Sequence, residues 1–171
     1  MTSPDQHTNV EIKFHYNQQY REHVSKGSPD RWIDMSLSAA GEDIYGGSRG
    51  IVTGSACIVV LDLLDSIESI RSNDRGIITF DDGPSWLSIA KCDESTVEIA
   101  ACHTLKGAKS PKNRLDISRT TVVTQQAWEE AVVELSREFY QKITKINPDL
   151  QNHETVEQIR EKIDTLTGSG G

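Results

Sequence analysis

The run VEIKFHY, residues 10–16, places Val10, Ile12, Phe14 and Tyr16 on one side of an extended chain and Glu11, Lys13 and His15 on the other. A period of two means a strand with one face in a core and one in water. RWIDMSLSAA repeats the pattern, with Ile33, Met35, Leu37 and Ala39 inward and Trp32 and Asp34 on the opposite face. Two such runs commit the chain to a sheet that is wet on one side, which is the habit of antiparallel sheets.

The remaining segments are read around that commitment. NQQYREHVSKGSPD is a polar connection ending in turn residues. After a turn at GED, DIYGGSRGIVTGSACIVV continues the sheet, and Gly46, Gly47, Gly50 and Gly54 mark bends or close backbone approach. LDLLDSIESIRSN changes period: Leu63, Leu64, Ile67 and Ile70 recur at helical spacing, with Asp62 placed to cap the first turn and Gly76 to close the far end. GIITFDD, SWLSIAKC and TVEIAACHTL are further strands. A hairpin turn at Asp93-Glu94-Ser95 that pairs Cys92 with Val97 sets Lys91 opposite Glu98 and Trp86 opposite His103. Lys106 to Arg114 is an exposed loop with four cations and no acid, and LDISRTTVV is the last strand.

Two helices close the chain. Thr124 caps QQAWEEAVVELSREFYQKITKI, whose stripe is Trp128, Ala131, Val132, Leu135, Phe139 and Ile143, and Pro148 ends it. Asn152 caps a final helix with a narrow seam of Val156, Ile159, Ile163 and Leu166, which must dock on the domain or on a second copy. Strands in runs with segregated helices predict an α+β fold: a mostly antiparallel sheet of six or seven strands with two or three helices on one face. The expected organisation is a flexible segment over 1–9, one domain over 10–147, an appended helix over 150–166 and a flexible tail over 167–171.

Composition narrows the function classes. A chain of 171 residues can bury a core without metals or cross-links. Its three cysteines, Cys57, Cys92 and Cys102, form no Cys-x-x-Cys pair and read as free thiols in a reducing cytosol. The first ten residues lack the apolar stretch of a signal peptide, and ACIVVLDLL is too short to span a bilayer, so the expected location is cytoplasmic, with no membrane partner. The net charge of −8 argues against nucleic acid and favours a basic protein partner.

The chain carries few motifs of known chemistry. A phosphate loop needs glycines between a strand end and a helix start. YGGSRG leads into the β-like IVTGSACIVV, so it turns the chain. Cys102 and His103 are adjacent and point to opposite faces of a strand, so they do not share a metal. No Gly-x-Ser-x-Gly elbow is present. Asp81 and Asp82 precede Gly83-Pro84, which is turn chemistry. His103 reads as a packed core histidine, and an enzyme site around it is the least favoured reading. The expectation is a binding module with no catalytic residue, metal or cofactor. Its candidate contacts are Trp32, Asp34, Glu42, Asp43, Asp81 and Asp82, which lie at strand ends and turns near the glycine-rich bend, with Trp32 on the face opposite its strand's apolar set.

The layout also resembles the WapI-type immunity proteins of bacterial polymorphic toxin systems. The residues that carry the likeness are RWIDMSL, with Asp30 and Trp32, then IYGGSRGIVTG, the helix LDLLDSIESI, the strand FDDGPSWLSIAK, its partner TVEIAACH, and ISRTTVVTQQAWEEAVVEL. The likeness spans Val10 to Ile143, and the basic loop and the last helix fall outside its pattern. It implies a protein that neutralises a toxin domain, such as a basic nuclease, by occlusion, and it supplies no catalytic residues. The alternative is an accessory subunit that assembles, or forms a homodimer, through the last helix.

Overall fold

The structure is a computed structural model that describes residues 8–47, 50–83, 86–115 and 119–168. The expected flexible ends fall outside these residues at 1–7 and 169–171, as do Ser48 and Arg49 of the glycine run and Pro84. The fold is α+β with antiparallel pairing throughout, but the strands divide into two sheets of four. Five α-helices accompany them among the described residues.

The first sheet contains β1 (Val10–His15), β2 (Trp32–Ala39), β3 (Glu42–Tyr45) and β4 (Val52–Ser55). β1 pairs along its whole length with Asp34 to Ala39 of β2. The other edge of β2 is shared: β4 pairs with Trp32 to Met35, and β3 with Leu37 to Ala39. The glycine run makes this sharing possible. Gly46, Gly47 and Gly50 adopt φ of 121°, 57° and 77°, which L side chains resist, and the Gly46 amide donates to the Gly50 carbonyl at 2.7 Å. The run turns the chain, as its composition predicts.

The second sheet is β5 (Gly76–Thr79), β6 (Trp86–Lys91), β7 (Thr96–Cys102) and β8 (Arg119–Thr124), in sequence order. Its central hairpin is shifted one residue from the expected register. Trp86 faces Cys102, Ala90 faces Glu98 and Lys91 faces Val97. The Asp93 carboxylate accepts from the amides of Ser95 and Thr96, each at 2.9 Å, and this side-chain-built turn sets the strand offset. These bonds hold the Asp93 carboxyl below the usual carboxylate range. A one-residue slip changes what each side chain meets, and His103 falls beyond the end of β7, exposed rather than packed.

The helices depart further from expectation. The polar connection after β1 contains α1 (Gln18–Ser25), capped by Asn17, with Tyr20 and Val24 buried. α2 (Ala56–Arg71) begins well before Leu63, and its buried residues include Ala56, Cys57, Val59 and Val60. A helix buried on several sides shows no clean period, so its first turns read equally well as strand. Asp62 therefore lies within the helix and does not cap it. Its carboxylate accepts from the Thr79 amide at 3.3 Å, and burial pushes its pKa up. The left-handed residue beyond α2 is Asn73, with φ of 60°, while Gly76 opens β5.

The basic loop is folded as well. α3 (Leu105–Lys109), capped by Thr104, buries Gly107 and Ala108 against β6 and β7. Arg114, its side chain 9% exposed, reaches Glu98 at 2.7 Å and latches the segment to the outer face of the second sheet.

α4 (Gln125–Ile146) starts at Thr124, whose hydroxyl accepts from the Ala127 amide. α5 (Glu154–Leu166) is preceded by a 3-10 turn, and its N-cap is His153 rather than Asn152. The seam of Val156, Ile159, Ile163 and Leu166 is buried within this chain, where α5 packs on α2 and α4. α4 also covers β1, β7 and β8, while α2 covers β4, β5 and β6, so one continuous core joins both sheets to these helices. Among the described residues no helix is long and apolar enough to cross a membrane.

Ser66 marks the tightest crossing in that core. Its hydroxyl donates to the Leu63 carbonyl at 2.6 Å and accepts from the Trp128 indole at 3.1 Å, all fully buried. Gly76 lies against it: a Cβ at that position would stand 2.7 Å from the Ser66 Cβ and 2.9 Å from its Cα. Gly76→Ala is therefore expected to overpack the junction and to lower unfolding free energy by about 1–3 kcal/mol, as measured by urea denaturation.

Candidate functional site

The outer face of the first sheet is built by the alternation of β1 and β2. With Ile33, Met35 and Leu37 in the core, Trp32, Asp34, Ser36 and Ser38 must project to the other side. Strand register then places His15 of β1, Asp34 of β2 and Thr53 of β4 in one cross-strand row, and Trp32 beside Ser55 in the next. The Thr53 hydroxyl donates to Asp34 Oδ1 at 2.6 Å, and His15 Nε2 lies 3.2 Å from Ser36 Oγ.

Segments distant in sequence complete this face. The chain after β5 bridges to β4: the Asp81 amide donates to the Thr53 carbonyl at 2.8 Å, and the Thr53 amide to the Asp82 carbonyl at 3.1 Å. Asp81 Oδ2 then accepts from the Ser55 amide at 3.2 Å. Just before β2, Asp30 Oδ1 accepts from the Cys57 amide at 3.1 Å, and the Arg31 carbonyl accepts from the Ala56 amide. Asp30 is thus the side-chain cap of α2, supplied from another part of the chain, since Ser55 makes no such bond.

Trp32 stands in the middle of these groups with 68% of its surface exposed, the largest value among the exposed large hydrophobic residues. Of the six candidate contacts, Trp32, Asp34, Asp81 and Asp82 therefore lie together around β4. Glu42 and Asp43 do not join them. They face Ala39 and Ser38, at the far end of β2, about 20 Å away at strand rise. His15, Ser36 and Thr53 belong to the same face and were missed, because only the register across three strands brings them together.

His15, Ser36 and Asp34 are neighbours, and His15 is exposed on the solvent side of the sheet. The three cysteines are free, and burial pushes each thiol up. At Cys102 the nearby Arg114 and Arg75 guanidinium groups act in the opposite direction, with less effect than burial. All three are accordingly poor nucleophiles near neutral pH. Among the described residues no three histidine, cysteine or carboxylate side chains stand together as a metal site.

The fold and this face define a two-sheet α+β protein with an open, acidic, tryptophan-bearing sheet surface. Comparison with protein-family models, with curated proteins and with solved structures finds no match.

The face separates into residues that hold it and residues that only present themselves. Thr53→Val leaves Asp34 without its hydroxyl donor and is expected to cost about 1–2 kcal/mol. Trp32→Ala, at an exposed position, is expected to change stability by less than about 0.5 kcal/mol. Chemical denaturation of both variants checks the contrast.

Proposed function

We propose that this protein is a non-enzymatic binding module of the immunity or inhibitor kind, which neutralises a basic toxin domain in the cytoplasm by covering it with the outer face of its first sheet. The observation that carries the reading is Trp32, a tryptophan 68% exposed at the start of β2, where the strand pairs with Ser55 of β4. Tryptophan is enriched among residues that dominate binding energy, and it gains most when a rim of polar groups excludes water around it. Asp34, Asp81 and Asp82 form such a rim. Among the described residues Arg31 precedes Trp32 and Lys13 lies on the same outer face, paired with Glu11 at 2.7 Å, while Asp30 adds a further carboxylate, so carboxylates outnumber cations there. Opposite charge on the partner raises the association rate and fixes orientation.

The resemblance to WapI-type immunity proteins supplies the toxin partner, and the physical reading supports occlusion as the mode of action. Assembly through the last helix has weaker support, because the apolar seam of α5 is already buried against α2 and α4.

The test begins with the reading frame beside the gene. Its terminal domain, produced alone, is expected to arrest growth, and co-production of this protein is expected to restore it. Trp32→Ala and the pair Asp81→Lys and Asp82→Lys are each expected to raise Kd for the purified domain at least tenfold, as read by calorimetry. Rescue with no measurable complex would falsify occlusion. A complex indifferent to all three substitutions would move the interface off this face.

A further inference from the structure

β1 is the end strand of the first sheet, and among the described residues it is paired on one side alone, by β2. Along its length lies a cavity of about 160 Å³, lined by residues 10–13 of the strand and by Ala131, Glu134, Leu135 and Glu138 of α4. Successive strand residues point to opposite faces, so a cavity that touches four in a row lies along the backbone edge and not on either face. Glu134 and Glu138 also line an open groove of about 1460 Å³ that follows α4 to Arg71 and Leu166, at the ends of α2 and α5. The two spaces meet in a seam at Glu134 and Glu138; the strand edge borders the smaller one, and the larger continues it along α4.

The charge of the seam selects its occupant. Glu130, Glu134 and Glu138 follow one another at four-residue spacing on α4, an arrangement of like charges that opposes the helix it sits on. Lys142 approaches Glu138 at 3.5 Å, and Gln126 donates to Glu130 at 2.9 Å. The cations lining the groove are Arg71, Lys91 and Arg137, against five carboxylates, and Arg71 is already paired with Glu129. On the strand itself, Lys13 is paired with Glu11 at 2.7 Å.

We propose that this seam binds an extended peptide segment bearing lysine or arginine, which adds itself to β1 as a further strand and sets its cations against Glu134 and Glu138. Backbone pairing at a free edge supplies affinity, and the alternate side chains supply selectivity. The site is separate from Trp32, so the two readings stand or fall independently.

The probe is a fluorescein-labelled decapeptide of alternating lysine and valine, added to the full-length protein. Fluorescence anisotropy is expected to give saturable binding, and the amides of β1 are expected to gain protection from hydrogen exchange when the peptide is present. The double variant Glu134→Lys and Glu138→Lys, both at exposed positions, is expected to weaken binding at least tenfold. Trp32→Ala is expected to leave it unchanged. Three results overturn the proposal. The first is equal affinity for the same peptide with proline replacing every valine, since proline cannot donate to a ladder and only charge attraction would remain. The second is protection gained elsewhere than β1. The third is full protection of the β1 edge before peptide is added, because the chain's own residues would then occupy it.

Discussion

The bond from the Trp128 indole to Ser66 is the point on which the layers depend. Ser66 lies on α2, Trp128 on α4, and Gly76 brings β5 against the same hydroxyl-bearing carbon. A buried indole N–H needs an acceptor, and a buried serine needs a use for both its donor and its lone pairs. Each group satisfies the other at a place where no larger residue fits. With that junction closed, α2 faces one group of strands and α4 the other, so the core is continuous across two sheets that are not hydrogen-bonded to each other through their main ladders. The bridge from Thr53 to Asp82 ties them at the surface. Lys162 of α5, 2.6 Å from Asp65 of α2, ties the last helix to the same assembly.

The two outer faces are treated differently. On the second sheet, α3 and the Arg114–Glu98 ion pair cover Ala100 and Cys102, where the floor is small and apolar. On the first sheet the corresponding surface carries hydroxyls, carboxylates, an imidazole, the Lys13 ammonium and a single large indole, and it remains open. Covering one face and leaving the other open gives the molecule a definite front. The carboxylates nearest Trp32 stand there without disturbing the core, because they are engaged with backbone amides or a hydroxyl.

What was legible in the sequence follows from which residues meet water. β1 and β2 could be read residue by residue, since each has one wet side and the alternation is uninterrupted. The α4 stripe was legible for the same reason at helical period. The first turns of α2 were not, because Ala56 to Val60 are apolar toward nearly every direction and satisfy both periods. α1 was hidden by having only Tyr20 and Val24 to bury. The division into two sheets left no local trace: nothing in Glu42–Tyr45 or Val52–Ser55 states that both will share one edge of β2. The same holds for the face around Trp32. Its strand position was evident, whereas the arrival of Asp81 beside Ser55 depends on a contact across 26 residues, and the separation of Glu42 and Asp43 from that cluster depends on which end of β2 the hairpin occupies.

The capping of α2 by Asp30 carries a mechanical implication. The Asp30 carboxylate that holds the Cys57 amide sits two residues before Trp32, and the Arg31 carbonyl between them holds the Ala56 amide. The indole and the start of the helix are thus joined by two peptide units and two hydrogen bonds. A surface contact would thereby be registered as reduced fraying at the amino end of a buried helix, with no change in the path of the chain between them.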